Sequence, residues 1–156
     1  MTSIDAINDL HAGVSDEVRA ELAECETVAT VPRGTRLVEA GIAPSHLIIL
    51  NSGSAETCVQ ANGKTTSLGI MGPGRVFGLH SVLSGEIPQT TVTCLENCKI
   101  RRVPREAFKC VLDRHPEMYI AVVKVLSADL AVADHLLRKN ARAFKVRPGR
   151  RSSKHL

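Results

Sequence analysis

Residues 54–70 read SAETCVQANGKTTSLGI, two short alternating runs broken by Asn62-Gly63. An Asn-Gly pair in this setting predicts a two-residue hairpin, because the turn that matches the twist of two antiparallel strands needs positive φ at both central residues. The same texture extends outward in both directions. Runs rich in Val, Ile, Thr and Leu at 27–31, 35–39, 46–50, 54–60, 65–70, 90–95 and 98–103 alternate with breaks at Pro32-Arg33-Gly34, Gly41, Asn51-Ser52-Gly53, Gly72-Pro73-Gly74 and Glu96-Asn97. Seven or eight strands at this spacing predict an antiparallel barrel or sandwich.

Helical patterns flank the strands. Ser15 followed by Asp16 and Glu17 reads as a helix start, with a capping hydroxyl and two acids at the positive end of the dipole. Val18, Leu22 and Cys25 then share one face, which predicts a short amphipathic helix over 16–25, with a second one over 3–10. Beyond Pro104 the period becomes helical again. A short helix is expected over 105–114, ending before Pro116, and one long helix over 117–140, about 36 Å in length. Within it Tyr119, Val122, Leu126, Leu130, Ala133 and Leu137 are spaced 3, 4, 4, 3 and 4. Val125, Val132 and Leu136 add a second apolar stripe, so one stripe is expected to face the strands and the other a partner copy. The expected organisation is a helical segment over 1–26, a barrel with its following helix over 27–115, a long dimerisation helix over 116–140 and a basic tail over 141–156. The fold class is mainly β with flanking helices.

The 156 residues suit one domain, and 44% of them are hydrophobic, enough for a single core. Aromatics are scarce: Phe77, Phe108, Phe144 and Tyr119, which argues against a base-stacking nucleic-acid surface. No apolar run reaches membrane-span length, and the first residues lack a signal peptide's basic and apolar regions, so a cytoplasmic protein with no membrane partner is expected. Charge is divided unevenly: residues 1–134 carry a net −4 and residues 135–156 a net +8. The tail cations Arg147, Arg150, Arg151 and Lys154 suit weak, non-specific contact with nucleic-acid phosphates, or a solvated end with no partner.

The five cysteines, Cys25, Cys58, Cys94, Cys98 and Cys110, form no C-x-x-C pair and read as reduced, mostly buried thiols. On one continuous strand Cys94 and Cys98 would stand about 13 Å apart, too far to share a metal. A turn at Leu95-Glu96-Asn97 would instead bring them across a hairpin. No metal and no cofactor are expected. His46 is placed on a strand face and His115 at a turn. No spacing pairs a nucleophile with a base, and Gly72-Pro73-Gly74-Arg75 lacks the ending of a phosphate-binding loop, so no enzyme is expected.

Taken together, Val31-Pro32-Arg33-Gly34-Thr35, Glu39-Ala40-Gly41, Leu47-Ile48-Ile49-Leu50 with Ser52-Gly53, Gly72-Pro73-Gly74, Phe77-Gly78, Val103-Pro104-Arg105-Glu106-Ala107-Phe108 and His115-Pro116-Glu117 give the chain its resemblance to a known superfamily. From about Leu10 to Asn140 it resembles the cyclic-nucleotide-binding-domain superfamily, in particular the sensor half of Crp/Fnr-type transcription regulators. The resemblance implies a jelly-roll β-barrel around one ligand and a long C-terminal dimerisation helix, in a homodimer or a heterodimer with a full-length family regulator. In nucleotide-binding members a Glu follows the Phe-Gly step and holds the ribose, and an Arg eleven residues after that glycine pairs with the cyclic phosphate. Here those places hold Leu79 and Gln89, and the helix positions that meet the purine are Ala133 and Asp134.

A phosphate buried without a cationic partner is costly, and a neutral amide recovers only part of the charge-assisted interaction. Binding of cyclic AMP is therefore not expected. The candidate pocket is Phe77, Gly78, Leu79, His80, Ser81, Gln89, Thr90 and Thr91, with 78–83 turning a short helix. It either holds an uncharged or weakly acidic small-molecule effector or is collapsed and filled by Leu79 and its neighbours. The 16 residues after Asn140 cannot form a recognition helix, so sequence-specific DNA reading by this chain alone is not expected. Three roles fit: a sensor and dimerisation domain in transcriptional or signalling regulation, a stand-alone receptor for a non-canonical effector, or a truncated regulator without DNA-binding output.

Overall fold

The computed structural model describes residues 14–127 and 130. The first helix, α1 (Asp16–Cys25), starts where the sequence predicts: the Ser15 hydroxyl accepts the Val18 N–H at 3.3 Å, and Val18 and Leu22 are buried. Eight strands follow: β1 (Thr27–Val31), β2 (Arg36–Val38), β3 (His46–Ser52), β4 (Ala55–Ala61), β5 (Lys64–Met71), β6 (Val76–Phe77), β7 (Thr90–Cys94) and β8 (Cys98–Pro104). A short helix α2 (Leu79–Ser84) lies between β6 and β7, and α3 (Arg105–Arg114) follows β8. A last helix, α4, covers 118–127 of the described residues.

The strands form two four-stranded antiparallel sheets, ordered β1-β8-β3-β6 and β2-β7-β4-β5. Each alternates strands from distant parts of the chain, as a two-sheet jelly roll does. The expected jelly-roll barrel is thus two four-stranded sheets that do not close on each other. The physical reason lies at Leu95-Glu96-Asn97. The chain there leaves one sheet and enters the other: β7 pairs with β2 and β4, whereas β8 pairs with β1 and β3. Cys94 and Cys98 therefore flank a corner between sheets, not a hairpin turn. The Asn62-Gly63 hairpin does form, with φ of 54° and 76° at the two turn residues and Ala61 opposite Lys64.

The β1-β8-β3-β6 sheet is covered on both faces. Along β3, Leu47 and Ile49 point to one core and Ile48 and Leu50 to another, all four buried. The first core lies under the helices and includes Val18, Leu22, Leu79, Phe108, Met118 and Val122. The second lies between the sheets, where Ile48, Leu50, Phe77 and Ile100 meet Val38, Ala55 and Val92. Each fully buried aliphatic or aromatic side chain stabilises the fold by about 1.5–3 kcal/mol.

On α4 the buried residues are Met118, Ala121, Val122 and Val125, with Leu126 packed partly against them. The evenly spaced seam read from the sequence is therefore split. Val122 and Leu126 turn to the chain's own core, while Tyr119 and Leu130 face outward together with Ile120 and Val123. Ala133 and Leu137, the helix expected over 3–10, the remainder of the long helix and the basic tail lie outside the described residues.

A charged contact fastens α1 to the end of α3. The Glu21 carboxylate accepts from Arg114 Nη2 at 2.9 Å and from His115 Nε2 at 2.9 Å, and Glu117 lies 3.5 Å from His115 Nδ1. The hydrogen bonds from His115 and Arg114 hold the Glu21 carboxyl below its ordinary value, and the bond to Glu21 raises the His115 imidazole above its own. His115 thus contributes fully below pH 6.5 and loses its contribution as pH rises through its raised value. Glu21 contributes above pH 4.5 and loses its contribution as pH falls through its lowered value.

Two predictions follow from this architecture. The difference in Tm between the wild type and His115→Gln is largest between pH 4.5 and 6.5 and narrows on either side; a difference independent of pH contradicts the ion pair. At the corner, Gly53 has φ +98°, and a Cβ there would stand 2.6 Å from Cys98 Sγ. Gly53→Ala should cost about 1–3 kcal/mol in denaturant titration, because a left-handed backbone and a buried clash combine. Gly63→Ala, which meets nothing within 4 Å, should cost less.

Candidate ligand-binding site

The residues expected to line a pocket come from β6, α2 and the start of β7. Phe77 ends β6 inside the inter-sheet core, and Gly78 caps α2 with φ 85°. Immediately after it Leu79, only 2% exposed, enters the core under the helices beside Val82. Ser81 is buried on the same helix. His80 points to solvent, where its Nε2 lies 3.1 Å from a Glu86 carboxylate oxygen. The Ser84 hydroxyl donates to the His80 carbonyl at 2.8 Å and accepts the Glu86 N–H at 3.1 Å, which closes the end of the turn.

Gln89 is exposed, and Thr90 and Thr91 are half-buried opposite Val59 and Cys58 of β4. The Thr91 hydroxyl already accepts the Ala40 N–H at 3.1 Å. The predicted helix is therefore present, but its side chains diverge. Leu79 and Ser81 go inward, whereas His80 and Gln89 go outward.

A groove of about 420 Å³ opens elsewhere, lined by Thr35 and β2, by Glu39 and residues 42–45, by His46 and Ile48 of β3 and by Ile100 and Arg102 of β8. None of the eight predicted pocket residues lines it. The intervening wall is the 39–45 loop, whose Gly41 N–H donates to the Pro88 carbonyl at 3.0 Å. Arg36 pairs with Glu39 across the rim at 3.2 Å, and Ser45 Oγ lies 2.8 Å from His46 Nδ1. The sequence reading passed over this groove because its walls come from three separated segments. The one available signal was a strand face that turns from apolar to polar, from Ile100 to Arg102 and from Ile48 to His46.

Cys94 and Cys98 are buried, and Cys98 Sγ donates to the Ser54 and Glu96 carbonyls at 3.4 Å each. Burial first, and then the hydrogen bond with Cys98, push the Cys94 thiol up to about 12, which keeps it protonated. Glu17, Glu21 and His115 bring three potential ligand atoms within 4.8 Å of one another. Both oxygens of Glu21 are engaged there by Arg114 and His115, so the cluster serves as the ion pair between α1 and α3. No helix among the described residues is long and apolar enough to cross a membrane.

The comparisons agree with this architecture. No curated protein matches the chain by sequence. Among solved structures the chain is similar to the catabolite activator protein of Thermus thermophilus, with a TM-score of 0.72 and 21% identity over 85% of this chain and 62% of that one. It is similar to the N-terminal domain of a transcriptional regulator from Streptomyces coelicolor A3(2), with a TM-score of 0.65 and 22% identity over 86% of this chain and 95% of that one. It is similar also to the sensor domain of the transcriptional regulator DNR from Pseudomonas aeruginosa, with a TM-score of 0.65 and 16% identity over 78% of this chain and 82% of that one. At these identities the likeness is one of fold, and the chain spans 62% of the Thermus protein. The family description that matches residues 28–115, more than half of the sequence, is the cyclic nucleotide-binding domain, and the chain belongs to that family.

Proposed function

We propose that this chain is a sensor and dimerisation domain of the Crp/Fnr type, acting in transcriptional or signalling regulation, without the cyclic-nucleotide contacts of nucleotide-binding relatives. It is read as a binding module and not as a catalyst. The observation that carries the reading is the fate of the two substituted positions. Leu79 sits where the resemblance places a ribose-binding carboxylate, and it is buried in the core under the helices. Gln89 stands where the phosphate-binding guanidinium belongs, and it is a neutral, exposed amide. A cyclic phosphate held there would meet no cationic partner, and hydrogen bonds to a neutral amide are weaker than the charge-assisted pair.

Dimerisation rests on the outward face of α4. Ile120 is 62% exposed, Val123 58% and Leu130 70%, with Tyr119 beside them. Residues 120, 123, 127 and 130 follow a 3-4-3 spacing, with Ser127 as the only polar member, which is the pattern of a two-helix seam. The partner is a second copy or a full-length regulator of the family. The cations at 147, 150, 151 and 154 would add salt-dependent attraction to DNA held by such a partner.

Calorimetry with 3′,5′-cyclic AMP should show no submicromolar binding by the wild type; submicromolar uptake overturns the reading of the substituted site. Gln89→Arg, at an exposed position, should raise affinity for the nucleotide by about tenfold or more through one charge-assisted contact. In light scattering the wild type should be dimeric at micromolar concentration, and Ile120→Glu with Val123→Glu should give a folded monomer. A monomeric wild type removes the dimerisation half of the proposal.

A further inference from the structure

The groove between the two sheets has a gradient of polarity that suits one class of ligand. Its floor is Val38, Ile48 and Ile100, all part of the inter-sheet core. Side chains alternate along a strand, so Arg102 shares the inner face of β8 with Ile100, and His46 shares that of β3 with Ile48. The register confirms the neighbourhood: Arg102 lies opposite Ile48, and His46 opposite Pro104. Both strands therefore run from buried aliphatic residues at the floor to a cation or an imidazole at the mouth. Across the mouth Ile42, 55% exposed, forms an apolar lip on the 39–45 loop.

The charges on the rim do not cancel. Arg36 is neutralised by Glu39 at 3.2 Å, whereas Arg102 makes no ion pair or side-chain hydrogen bond among the described residues. Of the rim guanidiniums, Arg102 alone is left without a carboxylate among the described residues. The His46 ring has Nδ1 directed to Ser45, and Nε2 is its remaining polar atom. At about 420 Å³ the groove falls within the size range of small-molecule sites.

We propose that this groove binds an amphipathic monocarboxylate: the carboxylate pairs with Arg102 at the mouth, and an aliphatic or aromatic body lies on Val38, Ile48 and Ile100 beneath Ile42. A monoanion matches the single unbalanced guanidinium, and Arg presents a planar fork that suits a carboxylate. The apolar body covers the exposed Ile42 side chain above the buried floor. This site is separate from the segment between Gly78 and Thr91, so it neither requires nor excludes the absence of cyclic-nucleotide binding. The two are nevertheless neighbours. The loop that walls the groove is hydrogen-bonded to Pro88 and Thr91 on its other side, so an occupant of the groove bears on the segment that carries the effector in nucleotide-binding relatives.

The test uses the full chain, with octanoate as the probe and 1-octanol as its uncharged counterpart, followed by two-dimensional amide NMR. Octanoate at millimolar concentration should shift the amides of residues 36–46 and 100–102 and saturate. Arg102→Gln should weaken it about tenfold, the loss of one charge-assisted contact, and leave 1-octanol unaffected. Ile42→Ser should weaken both probes. Amide spectra of the free variants should match the wild type away from the substitution, which separates loss of the site from loss of the fold. The proposal is overturned by octanoate that shifts no groove amide, by octanoate and 1-octanol binding equally to the wild type and to Arg102→Gln, or by saturable shifts confined to residues 77–91. A separate titration with cyclic AMP reports on the proposed function, and its outcome leaves the octanoate result standing either way.

Discussion

Burial of the β1-β8-β3-β6 sheet on both faces is the constraint on which the rest of the molecule depends. A sheet with two dry faces needs a cover on each side. The second sheet supplies one, and α1, α3 and α4 supply the other. The run Leu47-Ile48-Ile49-Leu50 makes this possible, because an uninterrupted apolar strand feeds two cores at once. Its ladder partner β8 does the same with Ile100 on one face and Val103 on the other. The helices are therefore integral to the fold, since without them half of the central sheet would be exposed to water.

This arrangement also governs the segment that holds the effector in nucleotide-binding relatives. Phe77 and Leu79 are two residues apart, yet one belongs to the inter-sheet core and the other to the core under the helices. With Gly78 between them the chain crosses from one compartment to the other, and α2 is tethered at that crossing. Leu79 adds to the apolar core at a place where a carboxylate would have to be solvated or paired. Three polar groups of this segment have partners: His80 with Glu86, Ser84 with the turn that follows, and Thr91 with Ala40 of the 39–45 loop. Charge suitable for an anion lies instead across the 39–45 loop, at Arg102.

The allocation of faces on α4 follows from the same packing. An apolar residue on an amphipathic helix has two possible destinations, and spacing alone does not choose between them. Met118, Ala121, Val122 and Val125 satisfy the core, which leaves Tyr119, Ile120 and Val123 as the face available to a partner. A seam drawn through Tyr119, Val122 and Leu126 mixes the two. Spacing alone does not fix the phase at which an amphipathic helix meets its neighbours.

The sequence by itself determined the local structure. The Ser15 cap, the Asn62-Gly63 turn, the start of α3 after Pro104 and most strand limits are decided by neighbours within a few residues, and there the side chain acts on its own backbone. It also determined that positions 79 and 89 carry a leucine and a neutral amide, because a residue type is fixed whatever its surroundings. Only the tertiary structure decided the division into two sheets, the corner that sends Cys94 and Cys98 into different sheets, the direction taken by Leu79, and the groove at Arg102. Each of these depends on which distant strands share hydrogen bonds and which face of a helix reaches the core. Those choices minimise the exposed apolar surface of the whole chain, and a short-range pattern carries no record of them.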